Sequence, residues 1–154
     1  MVGKSKLVLE TSDASMKNIS IVPKGLCTEI DFHMEYYDAE DILKSIIITF
    51  ENVIAVDFEI NVFDNPIGSE LCGLYEILDH SAKSNMIEKI FQNRRNKFLD
   101  YGDYHYDKDD EADILNYKGN LNRVKQEISK YHLYDQLSIG GVYTILSESY
   151  TIKK

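Results

Sequence analysis

Tryptophan is absent from this chain of 154 residues, and cysteine and proline occur only twice each. Each scarcity excludes something. Cys27 and Cys72 lie 45 positions apart and form no CxxC pair. That rules out a disulfide framework or a cysteine-based zinc site and reads as two buried free thiols in a reducing compartment. Pro23 and Pro66 both stand beside turn formers, in Pro-Lys-Gly and Asp-Asn-Pro-Ile-Gly. No Gly/Ser/Pro linker and no internal repeat divides the chain, so residues 1–154 read as a single domain. Long apolar runs are missing too. The longest are stretches such as Ile46–Ile48 and Val53–Val56, far short of a bilayer span. Met-Val-Gly-Lys-Ser-Lys at the start precedes no apolar core long enough for a signal peptide. The expectation is a cytoplasmic protein.

Cations are the last scarcity. There are 17 Lys and Arg against 26 Asp and Glu, for a net charge of −9. Nucleic acids and anionic membranes need a basic face, so neither is expected as a partner. A basic protein is permitted, and the charge speeds encounter with one.

What the chain does contain is an acidic, tyrosine-rich run. Asp100–Asp113 holds seven carboxylates, three tyrosines and one lysine in fourteen residues. Rigid rings with polar tips, set among negative charges, suit a basic protein surface. Tyr104 and Tyr106 are the expected anchors. Asp103, Asp107, Asp109, Asp110, Glu111 and Asp113 are the expected charge complement. The competing reading is a solvated acidic loop.

Periodicity assigns most elements. Lys6–Glu10 and Asn18–Val22 read as short strands. Thr28–Tyr37 alternates strictly, with Ile30, Phe32, Met34 and Tyr36 on one face and Glu29, Asp31, His33, Glu35 and Tyr37 on the other. Residues 44–50 and 53–63 read as an antiparallel hairpin across Glu51-Asn52. Within it Ile54, Val56, Phe58, Ile60 and Val62 should point inward, and Asp57 and Glu59 outward. Residues 70–80 fit a helix or a strand, with Gly73–Leu78 favoured as strand. Asn85–Leu99 is the main helix. Met86, Ile87, Ile90, Phe91, Arg94 and Phe98 draw its apolar stripe, Ser84 or Asn85 caps its start, and Gly102 stops it. Residues 121–129 fit either state. Lys130–Leu137 and Val142–Leu146 form a hairpin around Gly140-Gly141, and Tyr150–Ile152 adds a last strand. The sum is an α+β, mainly β, fold: an antiparallel sheet with one main amphipathic helix at about 85–99.

Catalytic and metal chemistry finds no support. His33, His80, His105 and His132 have no partner at ligand spacing. His105 with Asp103 and Asp107 is the nearest approach to a cation site. The run from Asp107 imitates a calcium loop but places Ala112 at position six and Lys118 at position twelve, where glycine and glutamate are required. There is no G-x-S-x-G, no cysteine in a catalytic context and no phosphate-binding loop. Asp57 and Glu59, about 7 Å apart by strand rise, read as a solvated strand face. No enzyme, metal or cofactor is expected.

Three segments resemble a known group. Ser45–Asp64 is similar to the central strands of small bacterial proteins encoded beside polymorphic or contact-dependent toxins. Lys130–Asp135 followed by Val142–Ser147 resembles their closing hairpin, and Leu78–Ser81 followed by Met86–Ile90 their strand-to-helix passage. The N-terminal 40 residues lie outside the resemblance. Many such proteins are immunity proteins. The resemblance implies a stoichiometric inhibitor of a toxin domain and carries over no active-site residue. The alternative class is a ligand-binding or structural accessory domain.

Overall fold

Two long strands organise the sheet. In the computed structural model, which describes residues 4–61, 63, 70–105 and 124–154, these are β4 (Leu43–Ile60) and β7 (Gly141–Lys153). The other strands are β1 (Ser5–Leu9), β2 (Ser15–Lys24), β3 (Cys27–Tyr37), β5 (Leu71–Ile77) and β6 (His132–Ser138). All neighbours are antiparallel, in the order β1-β5-β6-β7-β4-β3-β2. With the helix α1 (His80–His105), this is the mainly β, α+β architecture that the periodicity predicts. The chain divides into two compact units, residues 80–130 and the remainder.

Glu51-Asn52 does not turn the chain. β4 runs straight through it and pairs with β7 from Ile47↔Lys153 to Ile60↔Gly141. The expected hairpin is therefore a single bent strand. A two-residue hairpin of the favoured twist needs φ > 0 at both central residues. Here only Asn52 adopts it, at 49°, a conformation Asn tolerates. The register slips between Val53 and Ala55, so the feature is a bulge that bends the strand. Asn52 Nδ2 donates to Glu148 Oε2 across the bend at 2.7 Å.

The bend creates two halves. The first half of β4 pairs with β3 up to Ile30↔Phe50. The second half pairs with β7, which in turn pairs with β6 over Ser138↔Gly141 to His132↔Ser147. The inner faces meet as aromatic edges. Phe50 lies 5.5 Å from Tyr134, Phe32 5.7 Å from Tyr143, and Tyr134 5.3 Å from Tyr150, ring centre to ring centre. Phe32, Met34, Ile48, Phe50, Leu74 and Ile145 are fully buried among them. Such tilted and edge-to-face pairs add to burial.

One side of the sheet closes on itself. The Thr11–Ser15 corner joins β1 to β2 at opposite ends of the strand order, and Ser15 bridges Glu70 just before β5. Leu71 N–H donates to Ala14 C=O at 3.0 Å. Gln136, fully buried, donates through Nε2 to Thr11 Oγ1 at 2.8 Å and to the carbonyls of Gly73 and Leu137.

β3 alternates as predicted, with Ile30, Phe32 and Met34 buried. Within 70–80, Leu71–Ile77 is strand, as favoured, and His80 already begins the helix. The Gly140-Gly141 hairpin is present, and Tyr150–Ile152 is the end of β7 rather than a separate strand. Both glycines are required there. A Cβ on Gly140 or Gly141 would strike the carbonyls of Asn61 or Glu59 at the end of β4. In α1, Met86 and Ile87 are buried, Ile90, Phe91, Arg94 and Phe98 half-buried, and most of the residues between them exposed. That is the predicted stripe. The helix begins five residues earlier than expected, so Asp79 precedes it in place of a Ser84 or Asn85 cap. It also continues through Gly102. The uninterrupted ladder outweighs a glycine cost of about 1 kcal/mol. Residues 124–126 are helical and Ile128–Lys130 form a 3-10 turn.

Two burial expectations fail. Cys27 and Cys72 are free but exposed. Ile54, Val56 and Phe58 are 36%, 43% and 38% exposed, while Ile60 packs partly on the core. Val62 lies outside the described residues. The periodicity of this stretch is real, but past Phe50 the strand outruns β3, and no described strand flanks it on that side.

Candidate functional site

Of the expected partner-binding residues, Tyr106, Asp107, Asp109, Asp110, Glu111 and Asp113 lie outside the described residues. Asp103 and Tyr104 fall within α1. The helix sets Asp103 three residues after Asp100 and Tyr104 three after Tyr101. Tyr101 is exposed.

The outer face of the sheet carries a second set of acids, tied to hydroxyls across the strands. Thr49 Oγ1 donates to Asp31 Oδ1 at 2.6 Å, Thr144 Oγ1 to Asp135 Oδ1 at 2.7 Å, and Ser149 Oγ to Glu51 Oε2 at 2.7 Å. Cross-strand pairs of this kind stabilise a sheet locally. They also fix the carboxylates in place. Lys17 and Lys24 stand 4.0 and 3.9 Å from Glu35 and Glu29 on the β2–β3 pair. Sequence periodicity places Glu29, Asp31 and Glu35 on the wet face of β3 but does not reveal the hydroxyl partners of these acids, because the pairing depends on strand order.

Asp135 also lines a shallow groove of about 220 Å³ with Ser5, Tyr75, Ile77 and Leu137, over β1, β5 and β6. Burial holds the Asp135 carboxyl above the ordinary carboxylate range, against the pull of the Thr144 hydrogen bond. The Tyr75 ring lies over Gly73, whose φ is 155° and where an added Cβ would meet the ring edge. Glycine thus lets the phenol lie along the strand and form the groove wall. Small-molecule pockets run to roughly 300–1,000 Å³. This groove fits one side chain, with an apolar stem against Leu137 and Ile77 and a polar or cationic tip at Asp135. It was not legible in the sequence, since its lining residues come from three strands distant in sequence.

Further along β6, His132 Nδ1 lies 2.7 Å from Glu76 Oε1, and its ring stacks on Tyr134 at 6.2 Å. Burial is the main reason that the Tyr134 phenol titrates well above the ordinary tyrosine range, with Glu76 and Tyr150 adding to it. Among the described residues no three His, Cys, Asp or Glu side chains gather as a metal site. His33 lies on the wet face of β3, and the arrangement of His105 with Asp107 falls outside the described residues. No described helix is long and apolar enough to cross a membrane. No protein-family model, curated protein or solved structure matches the chain.

Proposed function

We propose that this chain is an immunity-type binding protein of the bacterial cytoplasm, one that neutralises a basic toxin domain by occupying it rather than by acting on it chemically. The observation that carries the reading is the concentration of seven carboxylates and three tyrosines in Asp100–Asp113, within a chain of net charge −9. A nuclease-like domain presents cations where it holds its anionic substrate, and an acidic surface competes there. Tyr104 and Tyr106 are the anchors, and Asp103, Asp107, Asp109, Asp110, Glu111 and Asp113 steer the encounter. The resemblance of Ser45–Asp64 and of the closing hairpin to immunity proteins supports the same reading.

The test is co-purification with the product of the neighbouring gene, followed by binding kinetics. Neutralising Asp107, Asp109, Asp110 and Glu111 together should slow association, and Tyr104→Ala or Tyr106→Ala should mainly hasten dissociation. Unchanged kinetics in both sets would move the interface elsewhere. The Asp135 groove favours a second reading, an accessory domain that captures a single cationic side chain. Asp135→Asn would abolish that capture and leave the first interface intact.

A further inference from the structure

The groove over β1, β5 and β6 holds a carboxylate that the rest of the sheet leaves without a counter-charge. Asp135 stands directly across from Tyr75, and Ser5 directly across from Ile77, in the antiparallel pairs that join these strands. Its opening has a local cause. The Tyr75 ring leans back over Gly73, with Cε2 2.9 Å from where a Cβ there would stand, and leaves the space between Ser5 and Asp135 uncovered. Elsewhere on the sheet Glu29 and Glu35 each have a lysine within 4.0 Å, and Glu76 has His132. Half-buried Asp135 has a neutral hydroxyl instead, since Thr144 Oγ1 donates to its Oδ1 at 2.7 Å. Among the described residues no cation lies within ion-pair distance of it. Its Oδ2 is not sealed in, because Gln136 Oε1 is the one buried side-chain polar atom without a partner among the described residues. Burial raises the Asp135 carboxyl, and no neighbouring positive charge pulls it back. A carboxylate in such a place gains from a cation brought to it.

The remaining lining selects among cations. A volume of about 220 Å³ lies below the roughly 300–1,000 Å³ of pockets that enclose a small molecule, so the occupant is a side chain presented by a larger partner. A net charge of −9 disfavours a second copy in that role. Ile77 and Leu137 supply apolar wall for a methylene stem, which lysine and arginine both possess. The tip decides between them. A guanidinium draws its strength from a fork that uses both carboxylate oxygens, whereas an ammonium is a compact charge with three donors. Thr144 already occupies Oδ1. The other polar residues of the lining are Ser5 and Tyr75, so Oδ2 and two hydroxyls match three N–H groups. We propose that this groove seats a lysine side chain of another protein, its stem against the apolar wall and its ammonium at Asp135. The inference rests on the single-cation reading of the groove given above and adds which cation it takes.

The experiment titrates the isotope-labelled full chain with capped peptides Gly-Gly-X-Gly-Gly, in which X is lysine, arginine or norleucine, and follows the resonances of β5 and β6. The lysine peptide should shift Tyr75, Ile77 and Asp135. Norleucine, which keeps the stem without the charge, should not. Arginine should bind about fivefold more weakly, for one hydrogen bond left unmade. Asp135→Asn keeps an acceptor for Thr144 and should weaken the lysine peptide at least about tenfold. Asp31→Asn alters another hydroxyl-bonded acid, the partner of Thr49, and should leave binding unchanged. Arginine bound as tightly as lysine would overturn the lysine assignment and leave the single-cation reading standing. No shift in the groove with any peptide would overturn both. Equal weakening by Asp31→Asn would reduce the binding to general attraction by an acidic chain and remove the site. Free n-butylammonium bound more tightly than the lysine peptide would overturn a protein as the source of the cation.

Discussion

A few side chains hold positions that no neighbour can take over. Gln136 is one. Its amide nitrogen serves three acceptors, on Thr11, Gly73 and Leu137, and ties the closing corner to β5 and β6. Gln136→Leu keeps the bulk but leaves those acceptors buried without a donor, so urea unfolding should show a loss of about 1–3 kcal/mol. Asp135 gives the opposite sign. Its folded pKa is raised from 3.8 by burial, so the folded state binds its proton more tightly than the unfolded chain does. Stability from this group is present below the unfolded value and is lost as pH rises through the folded one. Asp135→Asn keeps an oxygen for Thr144 and removes the charge. Its urea midpoint should exceed the parent's near pH ~7, with the difference vanishing near pH ~3. A constant difference at both would assign the effect to something other than ionisation. Neither role is legible in sequence. Gln136 and Asp135 look like ordinary members of an alternating strand, and only strand order shows that one faces Thr11 and the other Thr144.

At the scale of elements, period-two alternation located β3 because one of its faces is buried and the other is not. In β4 it found the strand and misjudged its surroundings. Glu51-Asn52 looks like a turn by composition, whereas the strand continues through a single αL residue, Asn52, with a bulge just after it. The apolar face beyond it continues past the end of β3, so alternation there marks an edge and not a core. The helix stripe was legible from spacing alone, but its ends were not, since a glycine and a cap signal yield to a continuing ladder. The bend predicts its own mutational pattern. Asn52→Val puts a β-branched residue at φ of 49° and should cost about 1–3 kcal/mol, whereas Asn52→Gly should be nearly neutral. Thermal or urea unfolding of the pair checks this. Equal costs would mean that the Glu148 hydrogen bond, not the backbone conformation, sets the bend. The two halves of β4 should also differ. Phe50→Ala, in the buried half, should cost about 3–5 kcal/mol, and Phe58→Ala, 38% exposed, clearly less.

The molecule as a whole is strongly acidic, and that makes its response to salt two-sided. Composition alone made the excess of carboxylates legible. Where they sit was not, because the outer-face acids are brought together only by the order β7-β4-β3. A net charge of −9 repels itself in the compact state, and Lys17 and Lys24 offset it only at the β2–β3 pair. Surface pairs of that kind contribute at most about 1 kcal/mol each. Raising ionic strength from ~0.01 M to ~0.15 M shortens the screening length from about 30 Å to about 8 Å. That length falls below the spacing of most like charges but not below the contact distance of an ion pair. The repulsion should therefore be lost first, and the melting temperature of the isolated protein should rise over this range. Association with a basic partner should move the other way, its on-rate falling as the same field is screened while the off-rate changes little. Measuring both on one preparation distinguishes them. A melting temperature that falls with salt would show that attractive pairs, rather than net charge, dominate the folded state. An on-rate indifferent to salt would leave the carboxylates of α1 without a role in the encounter.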